Sequence, residues 1–301
     1  MALSDLTLLV TGSAGILGRR LTPILAEDHR VIASIHRSEL KLDQPASLKV
    51  EECDLTDTDA AARLINETNP DIVINCAAMT DVDGCEENPV LAERVNSGVV
   101  KNLLHAISRQ ETYFVQVSTD YVFDGKVGPY PEDSATNPVN IYGQTKLDGE
   151  ASVRSWEGRS LVVRTSALYD CHSTEKANLF ASTYNRLRNG EPVNAASDLY
   201  CNPIWTVNLA RAVKEAVEKQ TCGILNIAGA AYLSRYQFSM SIAKHYGFPS
   251  KLVNRLLLAD MNRRAERPLR AGVDISLASK TLKTELLSPD EVFSLSDFNP
   301  D

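Results

Sequence analysis

The sequence predicts an α/β fold: a doubly wound, mainly parallel sheet, followed by a smaller C-terminal α/β lobe. Three observations predict it. The apolar run Leu6-Thr7-Leu8-Leu9-Val10 leads directly into Thr11-Gly12-Ser13-Ala14-Gly15-Ile16-Leu17-Gly18, where three glycines spaced three apart open a helical pattern. Apolar strand-like runs then alternate with helical spacing along the first half of the chain. Small and polar residues gather at the carboxyl ends of those runs, where open parallel sheets bind ligands. Together these describe a Rossmann-type sheet.

Residues 6–11 read as the first strand, and residues 15–27 as a helix with Ile16, Leu17, Leu21, Ile24 and Leu25 on its buried stripe. Within the turn, Gly12 permits the tight exit from the strand and Gly15 lets the backbone approach a pyrophosphate. Gly18 lets the helix pack closely on the sheet. The helix N-terminus offers unpaired N–H groups to the anion. Val31–Ile35 is the second strand, ending at His36-Arg37. An acid commonly stands here to meet a free ribose 2′-hydroxyl, and this chain has none. Arg37 suits a 2′-phosphate, so NADP(H) is favoured over NAD(H); the alternative is a solvated surface arginine. Leu48–Glu51 is a short third strand, after which Asp54 either meets the adenine or begins the next turn.

A helix over about 58–67 and a strand over Asp71–Asn75 follow, ending in Cys76-Ala77-Ala78, small enough for a dinucleotide to lie against. A long helix is expected over 89–109, then a fifth strand over Tyr113–Val117. The acid-, Gly- and Pro-containing stretch from Lys126 to Pro138 reads as a substrate-facing loop or lid. Helix 140–156 carries Tyr142 and Lys146, four apart and so on one face. A phenol titrates near pH 10, and a lysine ammonium nearby favours the phenolate and lowers that value. Thr119, at the end of the fifth strand, is placed to bind a substrate carbonyl. Ser160–Ser166 is a sixth strand, continued by Leu168-Tyr169. Helices over 177–189, 206–219 and 234–246 and a strand over 223–227 complete the pattern. Residues 1–165 are therefore mainly the cofactor domain and 166–301 mainly a substrate lobe, interleaved with late sheet elements at about 195–230. Arg263, Arg264, Arg267 and Arg270 form a basic patch that either meets a nucleotide diphosphate or is simply solvated.

The 301 residues are 44% hydrophobic, enough for a sizeable core, and the net charge of −8 argues against non-specific binding to nucleic acid or to an anionic membrane. Six cysteines form no CxxC pair and fit a reduced, cytoplasmic protein. The histidines have no metal-ligand spacing, no secretory signal is evident and no apolar run of membrane length occurs.

With these residues in hand, the chain resembles an extended short-chain dehydrogenase/reductase, and within that group the dTDP-4-dehydrorhamnose reductases. The support lies in the glycine motif, in Asn75-Cys76-Ala77-Ala78-Met79-Thr80-Asp81-Val82-Asp83 and in Ser118-Thr119-Asp120-Tyr121-Val122-Phe123-Asp124-Gly125. Tyr142-Gly143-Gln144-Thr145-Lys146, Arg164-Thr165-Ser166 and Arg267-Pro268 add to it. The resemblance implies reduction of the C4 ketone of a nucleotide-activated deoxysugar by a nicotinamide cofactor, with Thr119, Tyr142 and Lys146 as catalytic residues. Cofactor contacts are then expected from Gly12, Ala14, Gly15, Ile16, Leu17, Gly18, Arg37, Asp54, Leu55, Ala77, Ala78, Asn96 and Ser118, besides Tyr142 and Lys146. Substrate contacts are expected from Thr80, Val82, Asp120, Tyr121, Phe123, Ala167, Asn202 and Arg267, and no metal is expected. The chain departs from the resemblance at Ala167, where a tryptophan typically helps shape the sugar site, and at Asp170, where glycine is common. Two alternatives stay open for this chain: a nucleotide-sugar epimerase or dehydratase, which would regenerate its cofactor each cycle, or a non-catalytic NADP-binding regulatory subunit like that of methionine adenosyltransferase. Homodimers are common for such folds, although no feature of this sequence demonstrates one.

Overall fold

The computed structural model describes residues 6–37, 40, 45–107, 111–171 and 178–300. Six strands form most of a parallel sheet: β1 (Thr7–Thr11), β2 (Arg30–Ile35), β3 (Leu48–Glu52), β4 (Ile72–Asn75), β5 (Tyr113–Thr119) and β6 (Ser160–Thr165). A seventh, Gly223–Asn226, returns from the second half of the chain and pairs in parallel with β6. From that strand the order runs β6, β5, β4, β1, β2, β3, so the direction of winding reverses between β1 and β4, and ligands of such sheets bind at this switch point.

The sheet is buried on both faces. Alternate residues of β1 go to opposite sides: Leu8 and Val10 pack with Leu21 and Leu25 of helix α1 (Gly18–Ala26) and with Leu209 and Val213. Leu9 packs on the other side with Leu64 and Ile65 of helix α2 (Thr58–Thr68) and with Leu103. This double burial explains why the strands read as continuous apolar runs.

The expected helix over 89–109 is broken in register. Helix α3 (Val82–Glu87), not anticipated from the sequence, is capped by Asp81, whose carboxylate accepts from the Gly84 N–H. Helix α4 (Pro89–Glu93) then passes into a π-turn, Arg94–Gly98, before helix α5 (Val99–Ala106). Residues 108 and 109 of that expected helix, and 177 of a later one, lie outside the described residues. Helix α6 (Ile141–Ser155) starts where the spacing predicts, with the Asn140 side chain accepting from the Gly143 N–H at 2.8 Å.

Beyond β6 a smaller lobe has its own aromatic core, in which Tyr169, Phe180, Phe238, Phe293 and Phe298 pack edge-on or tilted against one another. The stretch from Lys126 to Pro138 is not a free lid facing the site. Tyr130 is buried, its hydroxyl donates to Asp124 at 2.6 Å, and its carbonyl accepts from the Asn226 amide at 3.0 Å. Glu132 is held as well, its carboxylate taking the Asn226 N–H and its carbonyl taking Arg164. Among the described residues no helix is long and apolar enough to cross a membrane, no group of side chains is arranged to hold a metal, and the six cysteines are unpaired.

Candidate active site

The glycine turn sits at the carboxyl end of β1, and two clefts meet there. Gly12, Gly15, Cys76 and Ala78 line both. One cleft, about 300 Å³, runs over Ala14, Ala77, Asp54 and Leu55 towards the ends of β2 and β3. The other, about 370 Å³, runs over Ile16, Leu17 and Gly18 towards the end of β5 and into the lobe. The pair therefore offers an elongated groove with a helix N-terminus at its middle, which fits a dinucleotide with its pyrophosphate at the turn.

Gly12 has φ +63°, and a Cβ there would stand 2.7 Å from the Ala77 backbone nitrogen. Gly18 is tight for a reason other than the expected packing on the sheet: its Cβ would meet the Gly12 carbonyl at 2.3 Å. The turn folds onto itself, and side chains at either position would disrupt it.

The catalytic candidates converge in the second cleft. Thr119, Tyr142 and Lys146 line it together with Ser118, Asp120, Tyr121, Ala167, Thr80 and Val82. The Tyr142 phenol neighbours the Thr119 side chain, and its ring lies edge-on to Tyr121 at 5.7 Å. Burial pushes the phenol well above its ordinary value. The expectation that Lys146 lowers it is thus not met. The Lys146 ammonium instead donates to the Val117 carbonyl at 2.7 Å, and burial pulls its own value down to about 8, against the opposing charge of Glu150.

That carbonyl ends a buried polar ladder. Thr11 donates to Asn75 at 2.5 Å, the Asn75 amide donates to Gln116 at 2.8 Å, and the Gln116 amide donates to the same Val117 oxygen at 2.8 Å. Three adjacent strands thereby tie the lysine to the glycine turn. Glu150, one turn further along α6, accepts from Ser118 at 2.5 Å and pairs with the buried Arg164 at 2.7 Å. Asp120 is buried, accepts from Ser166 at 2.6 Å and from the Gly272 N–H at 3.0 Å, and burial holds its carboxyl above the usual range.

Several expected site residues stand behind the cleft walls. Asn96, in the π-turn, is 1% exposed and engaged by the protein: its carbonyl takes the Met79 N–H at 2.8 Å and its amide donates to Met79 and Thr145. Phe123 is fully buried, stacked on Tyr130 at 4.3 Å and lying under the Arg164 guanidinium. The Asn202 amide donates to the Gly229 carbonyl, and its oxygen takes the Val273 N–H. Arg267 pairs with Asp83 at 3.1 Å, Arg263 lies 3.8 Å from Asp83, and Arg264 pairs with Glu87 at 3.1 Å. Three members of the basic patch are thus turned onto the acids of α3. Arg37 is exposed beyond the mouth of the first cleft, while its neighbour His36 lines that cleft and reaches Asp54 at 3.9 Å. Asp54 also begins the next turn, its carboxylate taking both the hydroxyl and the N–H of Thr56 and lying below the usual range for that reason.

Sequence reasoning missed Ser34 and His36 in the first cleft and Tyr200, Cys201 and Arg235 in the second. The last three come from the lobe, more than thirty residues beyond β6, and only tertiary structure brings them to the site.

Comparison with known proteins accords with this geometry. Residues 6–290 match the family model described as RmlD substrate binding domain. The chain is 32% identical over 296 residues to the "Probable low-salt glycan biosynthesis reductase Agl14" of Haloferax volcanii, a match covering 95% of this chain and 97% of that one. It is 30% identical over 282 residues to a dTDP-4-dehydrorhamnose reductase of Aggregatibacter actinomycetemcomitans, covering 89% and 90% of the two chains. The crystal structure of a hypothetical dTDP-4-dehydrorhamnose reductase from Sulfolobus tokodaii superposes with a TM-score of 0.84 at 34% identity, covering 94% of this chain and 97% of that one.

Proposed function

We infer the activity from the premise that the chain belongs to the dTDP-4-dehydrorhamnose reductase (RmlD) family of Rossmann-fold oxidoreductases: it reduces the C4 ketone of a nucleotide-activated deoxysugar, using NADPH. The observation that carries this reading is that Thr119, Tyr142 and Lys146 line one cleft, joined at the glycine turn to a second cleft shaped for the rest of a dinucleotide. A bound reduced nicotinamide would supply the hydride. The chain's own residues do the rest. Thr119 orients the carbonyl oxygen. Tyr142, held protonated by its burial, donates its proton to the alkoxide as negative charge develops there. Lys146 would hold the ribose hydroxyls of that cofactor.

The preference for NADPH rests on the lack of an acid at the end of β2 and on Arg37, which has no ion-pair partner among the described residues. Ala167 lines the cleft where relatives carry a tryptophan, which leaves that part of the sugar site open. Expected contacts from Ile16, Leu17, Ala77 and Ala78 fall on cleft walls and belong to this proposal.

The test is NADPH oxidation with dTDP-4-keto sugars generated in situ. Tyr142→Phe should lower turnover on the order of 10²- to 10⁴-fold while NADPH affinity stays within a few-fold. Stoichiometric consumption of NADPH marks a reductase; conversion of the sugar with no net consumption marks an epimerase. Turnover in Tyr142→Phe equal to wild type would overturn the assignment.

A further inference from the structure

We propose that Arg235 grips the diphosphate of the nucleotide-sugar substrate and so sets the distance between that anion and the reacting carbonyl. The inference rests on the function proposed above and adds the residue that reads the substrate's charge.

Arg235 is the first residue of the helix Arg235–His245, which Ser234 and Gln237 close with a reciprocal capping box. Its side chain lines the second cleft. The three charged residues of that cleft wall are Asp120, Lys146 and Arg235, and two of them are already occupied. Asp120 is hydrogen-bonded by Ser166 and the Gly272 N–H, and Lys146 is directed at the Val117 carbonyl. Arg235 neighbours Tyr121 and feels the charge of Asp120 at longer range, but no carboxylate stands within 4.0 Å of it among the described residues. A half-buried guanidinium without an anion is costly, and its planar fork matches two phosphate oxygens. The cation is therefore prepared for an anion that arrives with a ligand. The patch formed by Arg263, Arg264 and Arg267 is a weaker candidate, because Asp83 and Glu87 already neutralise it.

Position supports the same conclusion. Tyr121 lies between the two groups: it neighbours Arg235 and packs its ring 5.7 Å from that of Tyr142. The guanidinium thus stands about one tyrosine away from the phenol that protonates the ketone. In a sugar 1-diphosphate, C4 and the anomeric phosphate occupy opposite ends of one pyranose ring. A sugar with C4 at Tyr142 then extends its phosphate to the side of the cleft where Arg235 lies.

The experiment is calorimetric titration of the intact protein, without cofactor, with dTDP, with thymidine and, separately, with NADPH. Wild type should bind dTDP far more tightly than thymidine. Arg235→Gln should weaken dTDP binding on the order of 10- to 100-fold, as expected for losing a charge-assisted bidentate contact, with thymidine and NADPH within about twofold of wild type. Arg235→Lys, which keeps the charge and loses the fork, should fall between the two. Undiminished dTDP binding in Arg235→Gln would overturn the proposal, as would equal affinity of wild type for dTDP and thymidine or an equal loss of NADPH affinity. These outcomes are separable from the reductase reading, which fails only in the turnover assay.

Discussion

Lys146 carries the most consequential single charge of the site. Buried at 4% exposure and titrating near 8, it is an ammonium below that pH and a neutral amine above it. Its proton is what donates to the Val117 carbonyl and what would hold a ribose. Because kcat/KM reports the ionisations of the free enzyme, its logarithm should be level through neutrality and decline with unit slope above about pH 8. Tyr142 is not the source of that limb, since burial places its own ionisation far higher. A pH–rate profile level to pH 9.5 would show that the lysine keeps its proton or does not need it. Residue identity alone does not reveal such behaviour: the sequence shows a tyrosine and a lysine four apart, but the sense of both shifts comes from how deeply the fold buries them.

The elements explain why part of the site was legible and part was not. The glycine turn, the strand ends and the face of α6 follow local periodicity, so Gly12, Thr119, Tyr142 and Lys146 fall in the clefts where spacing puts them. Asn96, Phe123 and Asn202 are expected contacts too, yet they serve as supports behind the walls, because a π-turn, an aromatic stack and a loop contact decide their direction. No local pattern encodes those contacts. The junction of α6 with the turn Asp120–Val122 shows the same principle energetically. A Cβ on Gly143 would stand 2.2 Å from the Tyr121 carbonyl oxygen, a backbone atom that cannot swing away. Helix propensity alone favours Gly143→Ala by up to about 1 kcal/mol. The clash opposes it and is the larger effect, so the substitution should destabilise by roughly 1–3 kcal/mol and displace Tyr142 from Thr119. Thermal unfolding and turnover measured together check this: both should fall, and a variant more stable than wild type would show that α6 has room to move.

At the scale of the whole molecule, the sheet and the lobe are fastened by a polar clasp. Arg20, on the helix that follows the glycine turn, donates two hydrogen bonds to Asp170 at 2.7 and 2.8 Å. The Asp170 carboxylate is buried and also accepts from Thr206, while its backbone carbonyl takes the amide of Asn178, the cap of the helix Leu179–Arg188. Removing one partner leaves the other charge buried, and that is more damaging than removing both. Arg20→Met should therefore destabilise by about 3 kcal/mol, less than a fully buried pair would lose because the guanidinium keeps partial access to water. The double variant Arg20→Met/Asp170→Asn should recover a measurable share of that loss, because the amide carries no charge to strand. Denaturant unfolding of Arg20→Met, Asp170→Asn and the double variant beside wild type reads the difference directly. Losses that simply add would mean that the two side chains act independently and that the lobe is held by its aromatic core alone.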